Sequence, residues 1–138
     1  SGHPPSLPSF PPRRLSDLHK NVTRPEISDR PLEGDRLIEV GWDGKLLWEW
    51  LASDHIELFG FSEQARNAIH RFPGWTQNRG TGDWLHVNAA AYLGPNRWYD
   101  AGDGRFHPEN IIISSRNASV IAIIDKATGA FVWRMGPD

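Results

Sequence analysis

The 138-residue chain carries 15 Lys and Arg against 17 Asp and Glu, a formal charge of -2, and is 38% hydrophobic and 23% charged. That balance fits one soluble globular domain and withholds the broad positive field that a nucleic-acid backbone requires of its partner. Without Cys, disulfides and thiolate metal sites are excluded, and no apolar run approaches the roughly 20 residues of a membrane-spanning helix.

Residues 1–20, "SGHPPSLPSFPPRRLSDLHK", hold five of the 11 Pro and show no hydrophobic periodicity, so an extended arm or linker outside the core is expected there. The missing initiator Met fits a processed or engineered start, with any export signal already removed. From Arg36 the pattern changes. "RLIEV", the turn "GWDG" and "KLLWEW" read as two strands joined by a short Gly-bearing loop. Next, "FSEQARNAIH" has Ser62 as an N-cap and Phe61, Ala65, Ala68 and Ile69 at helical spacing, which predicts a short amphipathic helix ended by Phe72-Pro73-Gly74.

"GDWLHVN" and the following "AAAYL" read as one strand, on which His86 and Asn88 would project to the same face with Trp84 in line. "GPNRWYDAGDGRFHPEN" is a long loop and "IIISS" a β-branched strand that leads into Arg116. "SVIAIID", the turn "KATG" and "AFVWRM" then repeat the first hairpin. In both copies a turn ends in Gly, one variable residue and two apolar residues follow, and Trp comes next, so Gly44 and Trp48 correspond to Gly129 and Trp133. A repeated antiparallel unit of this kind predicts an all-β fold of β-propeller blades with one helical insertion. Residues 21–138 supply about two blades, whereas a closed propeller needs at least about four. The chain is therefore expected to be a fragment of a larger ring, completed by further blades of the same parent chain or of another chain.

The candidate chemistry is anion binding. Arg116 offers a planar fork of donors suited to sulfate, phosphate or carboxylate, although a strand-end Arg is commonly just a surface cation. A His-x-Asn pair taken alone is more often a structural polar pair. "DAGDG" lacks the alternating ligands of a calcium loop, no H-E-x-x-H, P-loop or G-x-S-x-G motif occurs, and neither metal nor cofactor is expected. "NVT" and "NAS" satisfy the short N-glycosylation pattern.

"DWLHVNAAAY", followed after a loop by "NIIISSRNASVIAIIDKATGAFVWRMG", resembles bacterial arylsulfotransferases, and "NVTRPEISDRPLEGDRLIEVGWDGKLLWEW" resembles their preceding blade. The resemblance implies a six-bladed β-propeller, exported or periplasmic in bacteria, that moves a sulfuryl group from an aryl sulfate to a phenol without a nucleotide donor. It implies that His86 and Arg116 contact sulfate oxygens with Asn88 beside them, and that the nucleophilic His of a ping-pong route lies in a later blade, outside these residues. The 138 residues alone are then expected to be incompetent for turnover. Trp84 and His107 are weaker candidates for substrate contact, His107 because its loop could rim the site. His55 reads as a surface or capping residue, His70 as the end of the predicted helix, and His3 and His19 as part of the arm. The rival expectation from another class is a non-catalytic propeller that serves as a binding or scaffold module.

Overall fold

The apolar runs on either side of each Gly-bearing turn pair as antiparallel hairpins in the computed structural model, which describes residues 14–22, 32–64 and 82–136. A first four-stranded sheet is built on β2 (Leu32–Val40), flanked by antiparallel β1 (Arg14–Val22) and β3 (Leu46–Leu51). The two-residue β4 (Gly82–Asp83) pairs parallel to the start of β2. A second sheet is an antiparallel meander of β5 (Val87–Tyr92), β6 (Ile111–Ser115), β7 (Val120–Ile124) and β8 (Phe131–Met135). The fold is all-β, as the turn-separated runs predict.

The repeat is physical as well as sequential. The β2–β3 and β7–β8 ladders are irregular at the same place, between Glu39 and Val40 in one and between Ile123 and Ile124 in the other. Trp48 lies opposite Glu39 as Trp133 lies opposite Ile123. Both turns close through a residue that needs a left-handed backbone, Gly44 at φ 80° and Gly129 at φ 76°, a conformation open to Gly at little cost.

The core lies between the sheets. Leu37 and Trp50 from the first meet Ile111, Ile113, Val120 and Ile124 from the second, and each such side chain contributes about 1.5–3 kcal/mol by leaving water. The 3₁₀ segment Ala52–Phe59 inserts Ile56 and Phe59 into this core and stops at Gly60, φ 66°. His55 within it is half-buried, and its ring stacks on Trp50 with centroids 5.0 Å apart and planes 2° apart. Desolvation there lowers its pKa below 6.5, partly offset by the charge of Asp54.

The joint between sheets is polar at the β7–β8 turn. Trp48 Nε1 donates to the Lys126 carbonyl at 3.0 Å and Trp50 Nε1 to the Gly129 carbonyl at 2.9 Å. Lys126 also forms an ion pair with the buried carboxylate of Glu39 on β2.

Two expectations shift. Residues 14–20, placed in the arm, belong to β1, whose nine pairs with β2 come from main-chain hydrogen bonding that needs no hydrophobic alternation. Of the helix predicted from Ser62, only Glu63 and Gln64 among the described residues are helical; the remainder, with His70, lies outside the described residues, as does His3.

Candidate functional site

His86 does not sit on a strand. The chain leaves β4 at Asp83, crosses Trp84 and Leu85, and turns at His86 through φ 50° before β5 begins at Val87. A positive φ at a non-Gly residue is uncommon and persists only where surrounding contacts impose it. They are present here. The Ser115 hydroxyl donates to the Leu85 carbonyl at 2.6 Å, Asn117 N to the same carbonyl at 3.0 Å, and Arg116 N to the His86 carbonyl at 3.0 Å. The Asn117 side-chain amide reaches the Asp83 carbonyl at 2.6 Å. From the other sheet, the buried Asp35 carboxylate accepts from Val87 N at 3.0 Å.

These bonds bind the 83–86 bend to the β6–β7 turn, so His86 and Arg116 lie next to each other at one end of the second sheet. The His86 Nδ1–H donates to the carboxylate of Asp83, which is nearly buried while the imidazole is about a third exposed. A carboxylate can only accept, so Nδ1 carries the proton and Nε2 is the nitrogen left for a ligand. Arg116 is exposed and makes no ion pair among the described residues, which leaves its guanidinium available. No group of three or more metal-ligating side chains occurs among the described residues.

Three expected site residues fall elsewhere. The β5–β6 register shifts between Val87 and Ala89, so Asn88 occupies an exposed bulge and does not share a strand face with His86. Trp84 is 4% exposed and packs against Phe59 and Phe61, which makes it core and removes it as a platform for a substrate ring. His107 lies on the β5–β6 loop, at the other end of the sheet. The five residues of β6 put about 17 Å between that loop and the Arg116 turn. There its Nδ1 accepts from Glu109 N at 3.1 Å and its ring meets Tyr99 edge-on, so the loop does not rim the His86 end. The loop holds its own shape through Asn96, which caps Arg97–Asp100 and donates to the Gly94 and Phe106 carbonyls at 2.8 Å each.

The residues that sequence reasoning missed are Asp83, Ser115, Asn117 and Asp35. Asp83 carries a faint signal, an acid three positions before a His, and Ser115 and Asn117 flank the singled-out Arg. Asn117 also belongs to "NAS", yet the amide nitrogen that glycosylation would use is the one bonded to Asp83.

A family model described as arylsulfotransferase (ASST) matches residues 18–138, spanning both hairpins, the 83–86 bend and the Arg116 turn. The chain belongs to the arylsulfotransferase family. Neither a curated protein nor a solved structure matches it. At the level of the arylsulfotransferase family the chemistry is sulfuryl transfer involving aryl sulfates and phenols. In this arylsulfotransferase chain the main chains of His86 and Arg116 are bonded to each other at one end of the second sheet, and Asp83 orients the His86 imidazole.

Proposed function

We propose that this chain supplies the sulfate-binding half of an aryl sulfate:phenol sulfotransferase site, with its two sheets as two blades of a six-bladed propeller. The observation that carries the proposal is the backbone bond from Arg116 N to the His86 carbonyl, which ties the two residues to one corner of the second sheet.

In the transfer, the bond between sulfur and the aryl oxygen breaks and the electron pair leaves with the aryl oxide. The sulfuryl group passes to a nucleophilic nitrogen and then to the phenol, whose proton is released. Negative charge spreads over the sulfuryl oxygens throughout, as in phosphoryl transfer, and prearranged donors lower the barrier most where that charge grows. Arg116 provides the fixed positive charge. His86, its ring set by Asp83, presents Nε2, which donates when the ring is protonated. The nucleophilic His comes from a blade outside these residues, so the 138 residues alone do not turn over.

The orientation of His86 also favours a second reading. A neutral ring with Nδ1–H held by Asp83 has its lone pair on Nε2, which is the arrangement of a nucleophile. The two readings separate by peptide mass after exposure to 4-nitrophenyl sulfate: a sulfo adduct on His86 supports the second, and an adduct on another His supports the first.

The test uses a form of the protein that transfers sulfate from 4-nitrophenyl sulfate to a phenol. His86→Ala and Arg116→Ala are each expected to lower kcat by about 10²-fold or more, the usual cost of removing one donor to a developing anion. Unchanged rates in both would end the assignment and favour a non-catalytic binding module.

A further inference from the structure

Both peptide groups that flank His86 are held, and the grip comes from two different sheets. On the near side the Leu85 carbonyl takes the Ser115 hydroxyl at 2.6 Å and Asn117 N at 3.0 Å. On the far side one peptide plane is gripped at each end: the His86 carbonyl accepts from Arg116 N at 3.0 Å, and Val87 N donates to the Asp35 carboxylate at 3.0 Å. The first group sets φ of His86 and the second sets ψ. Together they hold a non-Gly residue at φ 50°, a conformation it would otherwise leave.

Ser115, Arg116 and Asn117 belong to the same sheet as the residues after the bend, whereas Asp35 reaches across from the first sheet. Strand geometry puts it there. Asp35, Leu37 and Glu39 are buried and alternate along β2 with the half-buried Arg36 and Ile38, so all three are directed at the second sheet. The same strand also pairs with the entry to the bend, Leu32 with Gly82 and Glu33 with Asp83. β2 thus receives the bend at its start through main chain and at its end through the Asp35 side chain.

A carboxylate is a costly choice for this task. At 1% exposure it gives up more hydration than a neutral acceptor would, and in return its bond to an amide is charge-assisted, roughly twice as strong as a neutral one. Hydrogen bonds in series polarise one another, so the pull of Asp35 on Val87 N–H also makes the His86 carbonyl a better acceptor for Arg116 N. The line runs from a buried charge on one sheet to the residue that carries the cation on the other.

We infer that Asp35 is a positioning residue for the anion corner: it sets the 86–87 peptide plane from the first sheet, and through that plane the placement of His86 against Arg116. The corner therefore keeps its shape only while the two sheets stay docked. The link to sulfate rests on the proposed function, while the conformational part stands on the bonds alone.

The experiment is NMR on the isotope-labelled 138-residue chain, natural and with Asp35→Ala, Asp35→Asn, Leu37→Val or Arg116→Ala, at a temperature where circular dichroism shows each variant folded. The HN–Hα coupling and Cβ shift of His86 report its φ, and inorganic sulfate is the ligand titrated. In the natural chain His86 should show the left-handed signature and Val87 N–H should be protected from hydrogen exchange. Asp35→Ala is expected to lose both and to raise the sulfate Kd at least about tenfold, as displaced binding groups do. Asp35→Asn keeps an acceptor in place, so it should retain the signature and lose no more than about threefold. Leu37→Val loosens the same face of β2 without touching the bend, and should change neither the signature nor the Kd. The inference is overturned if folded Asp35→Ala keeps the His86 signature, or binds sulfate as the natural chain does where Arg116→Ala does not. It is also overturned if Asp35→Asn or Leu37→Val loses as much as Asp35→Ala. Should Asp35→Ala not fold, the natural chain and Asp35→Asn decide: a Val87 N–H that exchanges as fast as an unstructured amide, or a signature lost in Asp35→Asn, overturns the inference, and protection with the signature retained supports it. Failure of the sulfate reading looks different: Arg116→Ala leaves the sulfate affinity unchanged, or the natural chain binds none, while Asp35→Ala still abolishes the His86 signature.

Discussion

Asn117→Ala tests whether the corner that holds His86 beside Arg116 is built as described. The substitution removes the side-chain donor to the Asp83 carbonyl, a part-buried bond of 2.6 Å, and leaves the Asn117 N to Leu85 bond in the main chain. One such bond contributes about 0.5–1.5 kcal/mol net, and a carbonyl deprived of a donor adds part of a desolvation cost of about 1–3 kcal/mol. A loss of about 1–2 kcal/mol in urea unfolding at 25 °C is therefore expected. The functional readout is stabilisation by inorganic sulfate, which at ten times its dissociation constant would contribute about 1.4 kcal/mol if sulfate binds only the folded chain. Asn117→Ala should shrink that increment by loosening the 83–86 bend. Asn117→Asp should shrink it further by placing a carboxylate beside Asp83 and near the anion. A variant that loses less than about 0.3 kcal/mol and keeps the full sulfate increment would show that the stitch neither supports the fold nor positions the site.

His55 gives a pH dependence of known sign: its folded pKa lies below 6.5, so the unfolded chain binds the extra proton, and stability should fall as pH drops from above 6.5 through the folded value and then level off. His55→Gln should flatten that part of a stability–pH curve measured by urea unfolding; an unchanged slope would show that the Trp50 stack does not set it. Lys126→Met takes the ammonium from the buried Glu39 carboxylate and should cost about 3 kcal/mol or more, while Glu39→Gln with Lys126→Met should recover most of the loss, a comparison that a double-mutant cycle makes directly. Gly44→Ala and Gly129→Ala both force Ala to a positive φ, at about 1–2 kcal/mol. Only at Gly129 would the new Cβ also crowd the His55 ring, at 3.3 Å, so thermal unfolding should rank Gly129→Ala below Gly44→Ala.

Both hairpins were legible because their signals are local: an apolar strand, a turn that must pass through positive φ, and a Trp at fixed spacing. The ladder that makes β1 was not, since "RLSDLHKNV" has no alternation and its pairing is supplied by the main chain of β2. "GDWLHVN" misled for a related reason. Its apolar and polar residues alternate well enough for a strand, yet Ser115, Arg116 and Asn117, about thirty residues on, bind the bend and turn His86 out of register. The site was thus half visible. His86 and Arg116 stood out as residue types, while Asp83, Ser115 and Asn117 take their roles from contacts that no spacing announces, and the bulge at Asn88 exists only in the pairing with β6.

The clasp between the hairpins has a consequence for how such a chain can change. The indoles of Trp48 and Trp50 read main-chain oxygens, and every residue type carries one. The turn they hold can therefore exchange side chains freely wherever its path is kept. Variation in the turn and retention of the joint are separable, and the part of the molecule that fixes the two sheets together places little demand on the identity of what it grips.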